Sequence, residues 1–406
     1  MNGSRAGWSR RNEGVDAVLA GVVLVLTAAG AVEGAAQASG TPDPTVLEHV
    51  GTFPESFGYL QTVRPLGDDR VMVADPLGRV LAVADLAAGT LEPLGREGRG
   101  PGEWEQPDAV YPLPGDSTLL VDLGNTRLAV IDPAGRLVDS YPMVREVPGS
   151  GPGLEIVQPG GVDAAGRVYY QARGGMPRPG GEPDSSRVKR WEPGAEDAEV
   201  MARLSPPAVR VSSSGDANDR RVAMRPIPLA PEDDWAVAAD GTVAVIRARP
   251  YRVEWFRADG TRVSGPEIAY DPVPVGRAEQ ERYLDERDTG GLQARMTVDN
   301  GVRSLSLQRG GGGAQRQRPA EIRSLEWPEH LPAIRSGARV APDGRLWVRR
   351  YVAAGEPARY DIVDRAGYRV GAIRLPAGRR VIGFGGDRVF AVRVDDLGLS
   401  WLEVYR

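Results

Sequence analysis

The amino-acid sequence predicts an all-β fold, a six-bladed β-propeller, and two observations lead to this prediction. The first is a recurring turn, Asp/Pro-x-Gly or Asp-Gly, that is followed by a short β-rich run, as at Asp240-Gly241 and Asp343-Gly344. Glycine supplies the positive φ that a tight hairpin turn requires. The second observation is that helical periodicity is missing from most of the chain. Such strand–turn repeats are typical of propeller blades.

The predicted strands fall into six groups along the chain. Five groups contain four strands each, and the sixth contains only three before the chain runs out. The groups span residues 60–94, 107–143, 156–204, 233–269, 333–376 and 379–406. Residues 46–53 form a short β-like stretch that has no partner of its own. We expect this N-terminal strand to complete the sixth blade, because closing the ring in this way leaves no open gap.

Residues 271–324 do not fit the blade pattern. The charged stretch 276–288 has Leu, Tyr and Ala at helical spacing, and residues 309–319 include four consecutive glycines among Arg and Gln. We therefore expect a helical insertion with a flexible loop between blades 4 and 5. The alternative is that this segment hides a seventh blade.

The N-terminus resembles an export signal. Arg5, Arg10 and Arg11 precede an apolar run over residues 17–32, and Ala36-Gln37-Ala38 is a small-x-small cleavage pattern. We predict a signal peptide over residues 1–38 and a propeller domain over residues 39–406. The protein would then be periplasmic or secreted, without a stable membrane span. The alternative is that the segment is retained as an anchor.

Composition excludes several classes of site. The chain has 406 residues, no cysteine and only two histidines, so disulfides, thiolate catalysis and multi-histidine metal sites are excluded. The formal net charge of −5 argues against a nucleic-acid partner. Almost all positive charge is arginine, with Lys189 as the single lysine. The sequence contains no G-x-S-x-G motif, and no P-loop lysine follows its glycine-rich run.

One segment carries a family resemblance. Residues 95–104, Gly-Arg-Glu-Gly-Arg-Gly-Pro-Gly-Glu-Trp, followed by Gln106-Pro107, are similar to the glycine-rich stretch that precedes a blade in NHL-type repeats. Residues 119–132 continue in the manner of an NHL repeat. The segment from Gly344 to Tyr405 resembles exported six-bladed propellers of bacteria. The resemblance implies a propeller scaffold and no single activity, because this scaffold hosts both binders and enzymes.

Aspartates near strand ends are candidate metal ligands, and Asp122 is the main one because it closes a strand. Lactonases, which this fold resembles, hold one metal with Glu, Asn and Asp from different blades, and oxygen ligands would suit Ca²⁺. The competing interpretation is that these aspartates bond nearby backbone amides in turns. Asp240 and Asp343, which directly precede glycine, are predicted to be turn formers. We otherwise expect no cofactor.

A second candidate site is cationic. The loops between the second and third strands of all blades should lie on one face, and they carry arginines with aromatic residues nearby. Such a surface suits an anionic or saccharide ligand through charged hydrogen bonds and stacking. The competing interpretation is that these arginines cover apolar surface and pair with acidic residues. The predicted ligand-binding residues are Arg79, Arg127, Arg249, Tyr251, Arg349, Tyr351 and Trp401.

These observations predict an exported, monomeric binding propeller for a protein, a saccharide or a small anionic ligand, with no evident catalytic residues. The alternative is a lactonase-like hydrolase with a divalent metal in the central channel. A carboxylate cluster at one channel mouth would favour the hydrolase, and an arginine-lined mouth would favour binding. A third possibility is a subunit of an envelope assembly that docks through residues 271–324.

Overall fold

The computed structural model describes residues 43–67, 69–146, 154–172, 184–206, 208–214, 221–288, 292–299, 302–309 and 318–406. The predicted signal peptide lies outside these residues. Within them, no helix is long and apolar enough to cross a membrane.

Six blades, each an antiparallel arrangement of four strands from the inside of the ring outwards, form a six-bladed β-propeller, and the sheet of blade 5 has a fifth, parallel strand at its outer edge. Blade 1 contains Val63–Pro65, Arg70–Asp75, Val80–Asp85 and Thr90–Pro93. Blade 2 contains Pro107–Pro112, Thr118–Asp122, Arg127–Ile131 and Leu137–Pro142. Blade 3 contains Pro159–Val162, Val168–Ala172, Arg187–Trp191 and Ala198–Arg203. Blade 4 contains Asp234–Val237, Val243–Ala248, Tyr251–Phe256 and Arg262–Ser264. Blade 5 contains Arg339–Val340, Leu346–Arg349, Ala358–Val363 and Arg369–Leu375.

Blade 6 closes the ring as predicted. It contains Arg379–Gly385, Arg388–Val394 and Ser400–Tyr405, and its outer strand is the N-terminal His49–Phe57. The register pairs His49 with Tyr405 and Phe57 with Ser400. A short strand, Thr45–Val46, precedes it and runs parallel to the outer strand of blade 5. The prediction of an N-terminal closing strand is confirmed. The residues just before this strand, Thr45–Val46, pair with the neighbouring blade 5.

Apolar residues on both faces of each blade explain why the ring holds together. In the second strand of blade 1, Met72 packs towards blade 2, whereas Val71 and Val73 pack towards blade 6. This alternation follows from the two-residue period of a strand. Six apolar clusters result, one in each interface between neighbouring blades. The interface between blades 6 and 1 is filled in the same way, with Phe53 and Phe57 of the closing strand.

Four of the connections between blades carry additional structure. Two-stranded ribbons pair Arg96–Glu97 with Glu103–Trp104, Val144–Glu146 with Leu154–Ile156, Val209–Ser214 with Arg221–Pro226, and Leu292–Asp299 with Val302–Arg309. The last ribbon belongs to the insertion between blades 4 and 5. Its helices are α1 (Arg277–Asp288) and α2 (Arg318–Ser324).

The predicted insertion is confirmed, with one correction. Helix α1 matches the predicted helical stretch, but a β-hairpin, Leu292–Asp299 with Val302–Arg309, follows it where a helix and loop were expected. The sequence contains a signal for this hairpin. Leu292, Ala294, Met296 and Val298 alternate with other residues, and Asn300-Gly301, a common hairpin turn, comes between the two runs. The glycine run Gly310 to Gly313 lies outside the described residues.

Candidate functional site

Most of the loops and connections outside the blades lie at one end of the central channel. Because successive strands of a blade reverse direction, the loops after the second strands and the connections between blades lie on the same face. We call this the connection face. It carries residues 76–79, 123–126, 249–250, 350–357 and 395–399, and the connection 265–338 with the insertion. The sequence analysis predicted a binding surface here.

Two of the four predicted ligand-binding arginines on this face, Arg79 and Arg127, have acidic partners. Arg79 forms an ion pair with Glu97. Arg127 Nε donates to Asp122 Oδ2 at 3.2 Å, and its Nη2 donates to the carbonyl of Glu103. Arg249 is exposed at the cis peptide bond to Pro250. Pairing with carboxylates, which the sequence analysis had kept as the competing interpretation, therefore describes Arg79 and Arg127.

The predicted aromatic residues occupy three different environments. Tyr251 is buried in the interface between blades 4 and 5, and its hydroxyl donates to Asp361 Oδ2 at 3.0 Å. Trp401 donates its Nε1 hydrogen to Asp395 Oδ2 at 2.8 Å on the outer part of blade 6. Of the three, Tyr351 alone lies near the channel arginines described next, because Arg349 acts electrostatically on its hydroxyl group. The Arg335 guanidinium, from the connection before blade 5, lies 5.6 Å from its ring centroid.

Three arginines meet in the channel at the connection face, and we call them the arginine cluster: Arg339, Arg349 and Arg380. Arg339 begins the inner strand of blade 5, Arg349 ends its second strand, and Arg380 is the second residue of the inner strand of blade 6. Arg339 and Arg349 are surrounded by protein, yet part of each side chain is reachable by water. Side chains that line a channel have this combination of properties.

No member of the arginine cluster forms an ion pair with a carboxylate of the described residues. Arg339 donates to the carbonyls of Gln61 at 2.9 Å and Val381 at 3.2 Å. Arg380 donates to the carbonyl of Leu60 at 2.6 Å. The Arg349 guanidinium has no hydrogen-bond partner among the described residues, although the backbone carbonyl of Arg349 accepts from the amide of Arg335 at 2.9 Å. Carbonyl oxygens fix the positions of two guanidinium groups and leave their charges uncompensated.

The electrostatics of the cluster reflect this lack of partners. Burial, reinforced by repulsion from Arg335, lowers the pKa of Arg349 to about 10. Burial also lowers the pKa of Arg339, and Arg380 adds to this effect. Like charges in an enclosed, weakly screened site repel more strongly than in water. The cluster is therefore a site where an anion would be stabilised.

Glu286 of α1 forms an ion pair with Arg335 and partly opposes the lowering of the Arg349 pKa. Two further carboxyl groups lie near the cluster. Asp234 faces Arg339, but burial raises the pKa of its carboxyl group, although the amides of Gly337 and Ala338 donate to it at 3.0 and 2.9 Å. Asp108, on the inner strand of blade 2, is already bound by Arg309 of the insertion. Neither carboxylate neutralises the three arginines.

The candidate metal ligand Asp122 is fully buried and its carboxylate oxygens already have partners. Oδ1 accepts from the amides of Glu105 and Gln106, both at 3.1 Å, and Oδ2 accepts from Asn125 Nδ2 at 2.7 Å as well as from Arg127. No group of three or more His, Asp or Glu side chains suited to a metal occurs in the part of the chain that the structure describes. The metal site at Asp122 stays a prediction.

Asp240 and Asp343 do form turns, as predicted. Their carboxylates accept from the amides of Thr242 and Arg345, each at 2.9 Å. Asp75 at the end of the second strand of blade 1 has a role like that of Asp122 in blade 2. It binds the amides of Gly58 and Tyr59 in the connection before its own blade.

Of the arginine cluster, the sequence analysis identified only Arg349. Arg339 and Arg380 belong to inner strands, which line the channel of any propeller, whereas the predicted binding residues come from the loops between second and third strands and the residues beside them. An arginine near the start of an inner strand was the signal that could have identified both. Asp108 and Asp234 hold comparable positions in blades 2 and 4.

Comparison with known proteins finds solved structures only. No protein-family model matches the sequence, and no curated protein matches it. Regucalcin from Agrobacterium tumefaciens, a calcium-binding protein, is 13% identical, with 89% of this chain and 96% of that chain covered and a TM-score of 0.39. A gluconolactonase from Xanthomonas campestris is 13% identical, with 90% and 96% covered and a TM-score of 0.41. A DUF4221 family member from Bacteroides vulgatus is 9% identical, with 89% and 97% covered and a TM-score of 0.41. At these values the likeness carries no argument about activity.

Proposed function

We propose that this protein is a binding propeller that takes a small anion into its central channel at the connection face. The ligand carries at least two negative charges, on carboxylate or phosphate groups, and the arginine cluster holds it. The observation that supports this proposal most directly is Arg349, a guanidinium enclosed by protein with no partner among the described residues. Arginine is suited to such a site because its planar donors match carboxylate and phosphate oxygens.

Three features define what the site would accept. Guanidinium groups from two blades converge, which favours a ligand whose charges are spread over more than one group. The ring of Tyr351, with Arg335 5.6 Å from its centroid, offers an apolar face to the carbon skeleton of a ligand, whereas the Tyr59 ring already packs against Arg380 and Arg309. The insertion also lies over this face, which favours a small molecule over a folded protein.

The predicted export signal determines where this ligand would be met. A cleaved signal peptide over residues 1–38 would deliver the propeller to the periplasm or the medium, and the ligand would be an anion found there. The sequence analysis set an arginine-lined mouth against a carboxylate-lined one as the feature that separates a binder from a lactonase-like hydrolase. The arginine cluster favours the binder.

Isothermal titration calorimetry with citrate and inorganic phosphate tests the proposal, with glucose as a neutral control. We expect at least one of the anions to bind and glucose not to bind. Arg349→Gln and Arg380→Gln should each weaken binding about 10- to 100-fold, since each removes charged hydrogen bonds worth roughly 1.5–3 kcal/mol. Arg345→Gln, at an exposed turn of the same blade, is the matched control and should leave affinity unchanged. Failure of all anions to bind, or equal binding by all variants, would refute the proposal.

A further inference from the structure

A fourth arginine, Arg335, lies beside the arginine cluster in the connection before blade 5. Ile334 and Arg350 form an antiparallel bridge outside the regular strands. Next to this bridge, the amide of Arg335 donates to the carbonyl of Arg349 at 2.9 Å. Residues directly opposite each other in an antiparallel pair send their side chains to the same side, with Cβ atoms about 5 Å apart. Arg335 and Arg349 are therefore neighbours on one side of blade 5.

Arg339 lies on the same side of blade 5 as this pair. It is opposite Trp347 in the sheet, and side chains two residues apart on a strand point the same way, so Trp347 and Arg349 share a side. Trp347 packs in the apolar interface with blade 6. Arg335, Arg339 and Arg349 therefore lie on the side of blade 5 that faces blade 6, and the inner strand of blade 6 carries Arg380.

Arg335 differs from the arginine cluster because it has a carboxylate partner. Its Nη2 forms an ion pair with Glu286 Oε2 of α1. The Glu286 side chain is 43% exposed and that of Arg335 is 19% exposed, so the carboxylate lies on the solvent side of the guanidinium. Glu286 also opposes the lowering of the Arg349 pKa, which is consistent with a negative charge close to the cluster.

Helix α1 fixes the position from which Glu286 reaches Arg335. Arg282 donates to two backbone carbonyls of the loop 350–357 at 2.9 and 3.3 Å. Glu279 accepts from a backbone amide of the same loop at 2.9 Å. Residues three and four apart lie on the same side of a helix, so Glu279, Arg282 and Glu286 all face blade 5. The carboxylate of Glu286 is thus held at the edge of the group of arginines.

We propose that Arg335 is a fourth arginine of the anion site and that Glu286 is a built-in competitor, which an incoming anion displaces from Arg335. This inference rests on the proposed function and names its ligand class more closely. An ion pair with an exposed partner is weak because water screens it, so a multivalent anion can replace the carboxylate. A monoanion cannot both replace Glu286 and engage the arginine cluster. The site therefore selects anions with three or more negative charges.

Isothermal titration calorimetry with citrate, succinate and acetate at pH 7.5 tests the selection. The parent should bind citrate more tightly than succinate, and acetate should not bind measurably. Glu286→Gln should raise the citrate affinity about three- to thirtyfold, because it removes a negative charge near the bound anion. Glu281→Gln makes the same charge change on the same helix, at an exposed pair with Arg277, and is the matched control. It should change the citrate affinity less than about twofold.

Arg335→Gln tests the fourth arginine directly. In the Glu286→Gln background it should lower the citrate affinity about tenfold, since Arg335 is then free to bind the ligand. In the parent the loss should be smaller, because binding there must first break the Arg335–Glu286 ion pair. Residues that act on one another give such non-additive effects. Equal losses in the two backgrounds would contradict the competition.

Urea unfolding without ligand gives an independent measurement. Glu286→Gln should lower the unfolding midpoint, because Arg335 and Arg349 lose a nearby negative charge and repel each other more strongly. Adding Arg335→Gln should restore the midpoint, since it removes that repulsion. Glu281→Gln should leave the midpoint where it is in the parent. Glutamine preserves the shape of Glu286, whose side chain is partly exposed, so circular dichroism should show the parent fold in each variant.

Failure of the competition and failure of the proposed function give different results. If citrate binds the parent and Glu286→Gln with the same affinity, the anion site stands and the competition is refuted. If acetate binds the parent as tightly as citrate, the selection for multivalent anions is refuted. If citrate binds only to Glu286→Gln, both the site and the competitor are supported. If no anion binds either protein, the proposed function fails and the competition fails with it.

Discussion

Tyr251, on the third strand of blade 4, donates a 3.0 Å hydrogen bond to Asp361 on the third strand of blade 5. Arg350 donates to the same oxygen at 2.5 Å, and both members of this ion pair are buried. Two neighbouring blades are thus joined through one carboxylate inside an otherwise apolar interface. Tyr251, which the sequence analysis predicted to bind a ligand, is therefore a buried part of the interface between blades 4 and 5.

Replacing Asp361 with Ala should lower the free energy of unfolding by about 3–5 kcal/mol, because it leaves the Arg350 charge buried without its carboxylate. Urea unfolding followed by tryptophan fluorescence measures this. Glu92→Ala, which removes an exposed ion pair with Arg70, is the control and should cost less than about 1 kcal/mol. Equal losses in the two variants would contradict the role assigned to Asp361.

Acid stability should depend on Arg247, which lies between Asp233 and Glu254 at 2.7 and 2.9 Å. Burial opposes ionisation of both carboxyl groups. Hydrogen bonds from Ser205 and Ala248 to Asp233, and from Arg247 to both, outweigh it and leave each pKa lowered. A carboxyl group with a lowered folded pKa contributes stability above its unfolded pKa, near 4, and loses it as the pH falls towards the folded pKa.

Arg247→Gln should therefore raise the pKa of both carboxyl groups in the folded protein and move the acid-unfolding midpoint to higher pH. Circular dichroism between pH 7 and pH 2 measures the midpoint. Arg70→Gln removes an exposed cation and should leave the midpoint unchanged. An unchanged midpoint for Arg247→Gln would show that these carboxylates do not control acid stability.

The turns and the closing strand could be predicted because they depend on patterns that are visible along the sequence. The turns at Gly241 and Gly344, with φ of +83° and +81°, follow from Asp-Gly pairs, and the closing strand follows from counting strands. The contacts around the channel could not be predicted from such local patterns. What surrounds Arg380 is decided by ring closure, which brings Leu60 beside it from 320 residues away. Arg309 meets Asp108 from 201 residues away, and no local pattern encodes that contact.

The arginine cluster should make the ligand-free protein less stable than it could be. Enclosure and the nearby Arg335 lower the pKa of Arg349, which means that folding disfavours its charged form. We expect Arg349→Gln to raise the free energy of unfolding by about 1 kcal/mol in buffer without multivalent anions, since it removes like-charge repulsion. Saturating citrate should reverse the order, because only the parent gains from binding.

Urea titrations with and without citrate measure both effects. Arg345→Gln, on the exposed turn of the same blade, should stay within about 0.5 kcal/mol of the parent in both conditions. A loss of stability in ligand-free Arg349→Gln would mean that the guanidinium contributes to the fold.

A metal site at Asp122 would require carboxylate oxygens that are available to bind Ca²⁺. Because both of its carboxylate oxygens accept hydrogen bonds, we expect Ca²⁺ and EDTA to leave the melting temperature unchanged. Asp122→Ala should cost about 3 kcal/mol by leaving the amides of Glu105 and Gln106 and the Arg127 guanidinium without their acceptor. Asp139→Ala, exposed on the outer strand of the same blade, is the matched control. A rise in melting temperature with Ca²⁺ that Asp122→Ala abolishes would restore the metal site.

Ring closure should depend on the apolar side of the N-terminal strand. Phe53 is 3% exposed and lies 6.0 Å, centroid to centroid, from Phe57 in the interface between blades 6 and 1, whereas Val50 on the same strand is 51% exposed. Phe53→Ala should lower the free energy of unfolding by about 3–5 kcal/mol through the cavity that it leaves. Val50→Ala should cost less than about 0.5 kcal/mol.

Loss of ring closure should also cause association between molecules, which a measurement of unfolding free energy does not detect. If the strand His49–Phe57 detaches, the strand Ser400–Tyr405 becomes an unpaired edge, and unpaired edges promote association between molecules. Dynamic light scattering should therefore show Phe53→Ala forming larger species at temperatures where Val50→Ala remains unchanged. If both variants lose stability to the same extent and neither associates, blade 6 holds the ring closed without its N-terminal strand.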